Sequence, residues 1–174
     1  MNYAAIKKTD TANGPGIRVS LFVSGCTHHC KGCFNREAWD FEYGAPYTKA
    51  VEQEILESLS KPYIRGFSLL GGEPMEPENR PTVLALVKEV RTRYPEKDIW
   101  CYTGYTFDKD LLTWISRGQD EVAELLACID VLVDGEFIEE QKNLRLPFRG
   151  SENQRIIDVQ ASLKQNRVIL KAIS

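Results

Sequence analysis

Ile17-Arg-Val-Ser-Leu-Phe-Val-Ser-Gly-Cys-Thr-His-His-Cys-Lys-Gly-Cys33 changes character halfway along. Its first half places Ile17, Val19, Leu21 and Val23 on one face at a period of two, the pattern of a β-strand. From Gly25 the periodicity stops, and three of the chain's five cysteines fall within eight residues. A strand that runs out into a glycine-punctuated loop of this kind is how α/β folds present a site.

Downstream, strands and helices alternate. Thr48 offers an N-cap to a helix over 49–60, where Val51, Ile55 and Leu59 recur every four residues, and Pro62 closes it. Residues 66–70 form a short apolar strand. The helix over 81–94 carries Val83, Leu84, Leu86, Val87 and Val90 at helical spacing and stops before Pro95, and 98–102 is the next strand. Helices over 111–116 and 120–128 precede a strand at 131–133; a strand at 155–159, a short helix to 165 and a last strand at 168–170 complete the chain. Such alternation implies parallel strands joined by right-handed crossovers. At roughly 30 residues per unit the chain has room for about six strands, short of the eight of a closed barrel, so an α/β fold with a partial, open β/α barrel is expected. One domain, 1–174, takes in the segment 141–174. The glycine-bearing sequences follow strand ends: Gly25 to Cys33, Gly71-Gly-Glu-Pro74, Thr103-Gly-Tyr105 and Asp134-Gly-Glu-Phe137. One mouth should collect all four.

With 174 residues, 43% hydrophobic and 27% charged, the chain reads as an ordinary globular protein that buries roughly 70% of its unfolded surface. Disorder, collagen and membrane insertion are excluded by the same figures and by the lack of a spanning apolar run. Residues 1–10 have no secretory-signal layout, so a cytoplasmic protein is expected, away from any membrane. The net charge of −3 hides an asymmetry: residues 1–140 hold 15 basic and 23 acidic residues, whereas 141–174 hold seven basic and two acidic. That basic tail has a single aromatic, Phe148, so nucleic acid is not the expected partner; partner docking, phosphate contact and a plain solvated face stay open.

Cysteines in a reducing compartment suggest a metal or redox centre before a disulfide. Cys101 and Cys128 stand alone in apolar surroundings and read as small buried hydrophobes. Cys26, Cys30 and Cys33 can reach one compact centre from a single loop. Zinc normally closes with four ligands and would have to recruit His28, His29 or a distant cysteine, which is awkward beside all three thiolates. A cubane iron–sulfur cluster on three cysteines leaves one iron open and is the better match. His28 and His29 are expected to be exposed loop residues, with hydrogen bonding to the cluster as the sharper alternative.

Cys26-x-x-x-Cys30-x-x-Cys33 followed by Phe34 resembles the signature of the radical S-adenosylmethionine enzymes, and Gly71-Gly-Glu-Pro74 is similar to their methionine-binding motif. More narrowly, Asn13-Gly-Pro-Gly-Ile-Arg18, Cys33-Phe-Asn35, Asp98-Ile-Trp100, Tyr102-Thr-Gly-Tyr105, Val131-Leu-Val-Asp-Gly135 and Arg149-Gly-Ser-x-Asn-Gln154 resemble blocks of the activating enzymes of anaerobic ribonucleoside-triphosphate reductase. The resemblance runs to about residue 158, and the role of residues 159–174 is left open. It implies a 4Fe-4S cluster on Cys26, Cys30 and Cys33, S-adenosyl-L-methionine on its open iron, and a 5′-deoxyadenosyl radical that installs a glycyl radical on the reductase. A low-potential donor such as flavodoxin would supply the electron. By the same resemblance Gly71 and Gly72 bring backbone carbonyls to the methionine amino group and Glu73 adds negative charge. Gly32, Cys33 and Phe34 border the cofactor, and Thr103, Gly104 and Asp134 are further mouth residues. Rival readings are another small radical S-adenosylmethionine enzyme, of the pyruvate formate-lyase activase or deazaguanine-pathway type, and a zinc-binding interaction module.

Overall fold

A computed structural model describes residues 1–173. The chain opens with β1 (Asn2–Asp10) and turns back into β2 (Ile17–Val23). After the cysteine loop come a two-residue β3 (Ala45–Pro46), α1 (Lys49–Leu59), β4 (Ile64–Gly71), α2 (Arg80–Arg93) and β5 (Asp98–Tyr102). A wide helical turn, Phe107–Leu111, leads into α3 (Leu112–Ser116), then α4 (Asp120–Cys128), β6 (Val131–Asp134), β7 (Arg155–Asp158) and α5 (Val159–Gln165). Thr48 caps α1 as its sequence suggests, its Oγ1 accepting from Val51 N at 3.3 Å.

The strands form one open seven-stranded sheet in the order β3-β1-β2-β4-β5-β6-β7. β2, β4, β5 and β6 are parallel, but β1 and β3 on one side and β7 on the other are antiparallel. The expectation of about six parallel strands is corrected at both edges. β1 reaches β2 through a turn of only six residues, and no helix lies between β6 and β7 except the short turn Glu139–Gln141, so neither link is a crossover. β1 carries no clear strand signal because Asn-Tyr-Ala-Ala-Ile-Lys-Lys-Thr-Asp is half exposed and has no apolar alternation. Residues 168–170 form no full strand: Leu170 makes a single bridge to Ile157, with Asp158 N donating to Ile169 O at 2.9 Å.

The helices lie on one face of the sheet. There the inward residues of the strands, Val19, Leu21, Val23, Leu69, Ile99 and Leu132 among them, share one core with α1, α2 and α4. The alternate residues face the other way. Trp100, Val131, Val133 and Ile156 form a smaller cluster there, with Phe148 and Ile173 against it. That face also carries Phe22 and Leu70, paired across β2 and β4, and a polar group beside them: fully buried Arg18 donates from Nε to Ser68 Oγ at 2.7 Å, and Ser20 Oγ donates to Asp10 at 2.6 Å. No helix among the described residues is long and apolar enough to cross a membrane.

Candidate functional site

Where β2 ends, backbone bonds stitch the cysteine loop to the loop after β4. Gly25 N donates to Ala38 O at 2.7 Å, Glu73 N donates to Gly25 O at 2.7 Å, and Gly72 N donates to Val23 O at 2.8 Å. Asn79 Nδ2 donates to Ser24 O at 3.0 Å and to Glu73 O at 3.1 Å, while Thr27 gives its N–H and hydroxyl to Glu76 Oε1. This explains Gly72 locally: a Cβ there would stand 2.6 Å from Gly25 O and 2.8 Å from Ala38 O, both backbone. Gly72→Val is therefore expected to push the cysteine loop off its base, costing about 3 kcal/mol, with iron retention falling along with the melting temperature. Unchanged melting and unchanged iron content would show that the contact yields freely.

Cys26, Cys30 and Cys33 are unpaired, half-buried, and line one cleft of about 150 Å3. Gly71, Gly72 and Glu73 from the end of β4, and Thr103 and Gly104 from the end of β5, line the same cleft. Phe34 also borders it, but with 94% of its surface exposed it is a rim residue and not core. Gly32 and Asp134 do not line it. The Asp134 carboxylate, fully buried, instead accepts from Phe107 N at 2.8 Å and from Arg155 Nε and Nη2 at 3.0 and 2.6 Å. Arg155 also pairs with Asp108 at 2.8 Å, so this arginine is occupied inside the fold. Burial pushes the Cys26 thiol up to about 11, against backbone hydrogen bonds from His28 and His29. Ligation to a metal reverses that preference by stabilising the thiolate.

Glu73 joins three loops. Its Oε1 accepts from Gly104 N at 2.7 Å and faces His28 Nε2 at 2.8 Å; its Oε2 accepts from Met75 N and Thr103 Oγ1, both at 2.9 Å. His28 Nδ1 meets Glu136 Oε1 at 2.8 Å, so the imidazole bridges two carboxylates. Burial alone would lower its pKa, but hydrogen bonds and charge from Glu73 and Glu136 outweigh that and push it up to about 9. The expectation of an exposed His28 is corrected: its side chain is only 8% exposed because the ring packs on Gly104, where a Cβ would come within 2.6 Å, and edge-on to Tyr105. His29 is exposed and stacks on Trp39, ring centroids 4.3 Å apart.

Gly135, Glu136 and Phe137 complete the cleft wall, as expected of the glycine-bearing sequence that follows β6. Gln154 was not placed at the mouth from sequence; it comes in only because residues 135–154 fold back, which no local pattern encodes.

Among the described residues, no three His, Cys, Asp or Glu side chains close around a single-ion position. Zinc bonds of about 2.3 Å would draw tetrahedral thiolates to within about 4 Å of one another, whereas a four-iron cluster spreads its ligands more widely. The histidine best placed to complete a zinc site, His28, has both ring nitrogens engaged by carboxylates. The three thiols around one cleft thus suit a cluster better than a lone ion.

Comparison with known proteins agrees. Residues 12–157 match a family described as a 4Fe-4S single cluster domain. The chain is 48% identical over 158 residues to the anaerobic ribonucleoside-triphosphate reductase-activating protein of Vibrio cholerae, covering 90% of this chain and 97% of that one. It is 44% identical to the protein of that name from Escherichia coli K12, covering 88% and 96%, and 44% identical to that of Enterobacteria phage T4, covering 90% and 93%. The chain belongs to the family of anaerobic ribonucleoside-triphosphate reductase-activating proteins.

Proposed function

We propose that this chain activates an anaerobic ribonucleoside-triphosphate reductase by installing a glycyl radical on it, using a 4Fe-4S cluster and S-adenosyl-L-methionine. The observation that carries this is the set of three unpaired thiols on one loop, facing a cleft walled by Gly71, Gly72 and Glu73. Cys26, Cys30 and Cys33 would hold three irons and leave the fourth open. When bound, cluster and cofactor supply, for one electron from a low-potential donor such as flavodoxin, a 5′-deoxyadenosyl radical that takes a glycine α-hydrogen. The chain's own residues bind and orient. Gly71 and Gly72 offer backbone carbonyls, buried Glu73 adds negative charge beside the cationic methionine end, and Thr103 and Gly104 close the wall next to it. Cys33 and Phe34 border the adenosine side, with Gly32 in the turn before them and Asp134 holding the loop after β6.

The sheet supports a partial barrel of the radical S-adenosylmethionine type: helices cover one face only, leaving the other as an interior. Residues 1–174 act as one domain. Five unpaired cysteines suit the reducing cytoplasm, and neither nucleic acid nor a membrane enters this reading. Anaerobic reconstitution with iron and sulfide tests it. About four irons per chain, and methionine release that depends on added S-adenosylmethionine and reductant, are expected; a colourless protein holding one zinc would overturn it.

A further inference from the structure

The loop between Lys142 and Ser151 is closed at its base and bare at its tip. Lys142 bridges to Ser151, Asn143 N donates to Gly150 O at 3.2 Å, and Gly150 N and Ser151 N both donate to Gln154 Oε1. Asn143 folds the tip, its Oδ1 accepting from Arg145 N at 3.0 Å and its carbonyl from Leu146 N at 3.3 Å. Phe148 anchors the return. Its backbone sits at φ +60°, a costly conformation for a bulky residue, and its ring lies edge-on to buried Trp100 with centroids 5.5 Å apart.

From this held loop Leu144 projects into solvent, 89% exposed. Among the described residues only Phe34, at 94%, is a more exposed large apolar side chain, and the next, Leu170, is at 63%. Phe34 and Leu144 flank one mouth. Phe34 borders the cysteine cleft and an adjoining cleft of about 330 Å3; Leu146, two residues beyond Leu144, lines that second cleft with Phe148. Single exposed leucines are ordinary, whereas the two barest apolar side chains of a chain beside one cleft mark a contact surface.

The loop is also purely basic. Residues 142–150 hold Lys142, Arg145 and Arg149 and no acid, on a chain whose first 140 residues carry 23 acids against 15 bases. The acids at its base are engaged: Glu139 and Glu140 lie 3.7 and 3.8 Å from Lys31 Nζ, and Glu152 accepts from Asn143 Nδ2 at 3.1 Å. Arg149 Nη1 is held by Gln154 O, and Arg155 by Asp134 and Asp108. Lys142 and Arg145 are exposed and have no ion-pair partner among the described residues.

We infer that residues 142–148 are a docking finger for the reductase, Leu144 entering an apolar pocket on its surface and Lys142 and Arg145 facing acidic side chains around that pocket. This rests on the function proposed above. A partner that brings a glycine to the cysteine cleft must lie across this rim, and a second copy of this chain seated there would shut the cleft.

The test uses the cluster-loaded chain and intact reductase, reading complex formation by titration, radical yield by electron paramagnetic resonance and self-association by sedimentation. Leu144→Asp is expected to raise the complex Kd and the KM for reductase about tenfold, and Arg145→Glu about fivefold at low salt, shrinking toward about twofold as salt screens the charge. The rate at saturating reductase should stay within twofold. Iron content, melting temperature and S-adenosylmethionine cleavage without reductase should match the parent, because both side chains stand in solvent. Tyr63→Ser, which removes an exposed ring at the opposite ends of the strands, should change none of these quantities. Unchanged Kd and KM in Leu144→Asp and Arg145→Glu would overturn the inference. So would lost iron or a raised KM for S-adenosylmethionine, which would assign the loop to the fold or the cofactor site. A parent dimer that Leu144→Asp dissolves while the KM for reductase holds would make a second copy the occupant and overturn it too. If the parent chain gives no radical at all, the proposed function falls and the inference with it; an active parent with unaffected variants removes the inference alone.

Discussion

Cys26→Ala, Cys30→Ala and Cys33→Ala are each expected to abolish iron–sulfur absorbance and S-adenosylmethionine cleavage, while Cys101→Ala and Cys128→Ala retain both. The three loop thiols line one cleft, and a cluster held, as proposed, by these three protein ligands alone would have none to spare. Cys101 is in a different position. It is fully buried on β5, facing the helix layer with Leu69, Ile99 and Leu132, where burial holds its thiol protonated, well above the usual range. It packs as a small hydrophobe, so truncation should cost stability of about 1 kcal/mol and leave the iron in place. Cys128 ends α4 and packs, half-buried, at the border of the same core. Loss of the cluster in Cys101→Ala without general unfolding would overturn the assignment of three ligands.

Glu73→Ala is expected to destabilise the fold as well as the cofactor site. The carboxylate is 1% exposed and takes Gly104 N, Met75 N and Thr103 Oγ1 while facing His28. Removing it leaves these donors buried around a cavity, a loss of about 3–5 kcal/mol by analogy with breaking one partner of a buried pair. At roughly 2–4 °C per kcal/mol for a domain of this size, melting should fall by about 10 °C. Glu73→Gln keeps one carbonyl oxygen and should fall about half as far. Melting within 1 °C of the parent, with cofactor affinity reduced, would show that the carboxylate acts on the cofactor alone and that the loops hold each other by their backbone bonds.

The parallel centre of the fold was legible because β2, β4, β5 and β6 are apolar and each crossover helix carries a periodic stripe; β5 has the same bounds in sequence and structure. The edges were not. β1 pairs on both sides yet keeps most of its residues partly exposed, so hydrophobic periodicity has little to act on. The mouth was legible where a motif follows a strand directly, as at Gly71 to Glu73 and Thr103 to Gly104. What escaped depends on contacts between distant segments. His28 looked like a loop residue because the carboxylates that bury it, Glu73 and Glu136, lie 45 and 108 positions away. Arg155 looked like surface charge because Asp134 and Asp108 meet it only once β6 and β7 pair.

The most direct measurement is the electron paramagnetic resonance spectrum of the anaerobic reductase after incubation with this chain, iron and sulfide, S-adenosylmethionine and a one-electron reductant. The expected result is a stable organic radical on the reductase, split into a doublet by one α-hydrogen and collapsing to a singlet when the reductase carries α-deuterated glycine. A cluster-loaded chain that cleaves S-adenosylmethionine but leaves the reductase without that signal would contradict the assigned function.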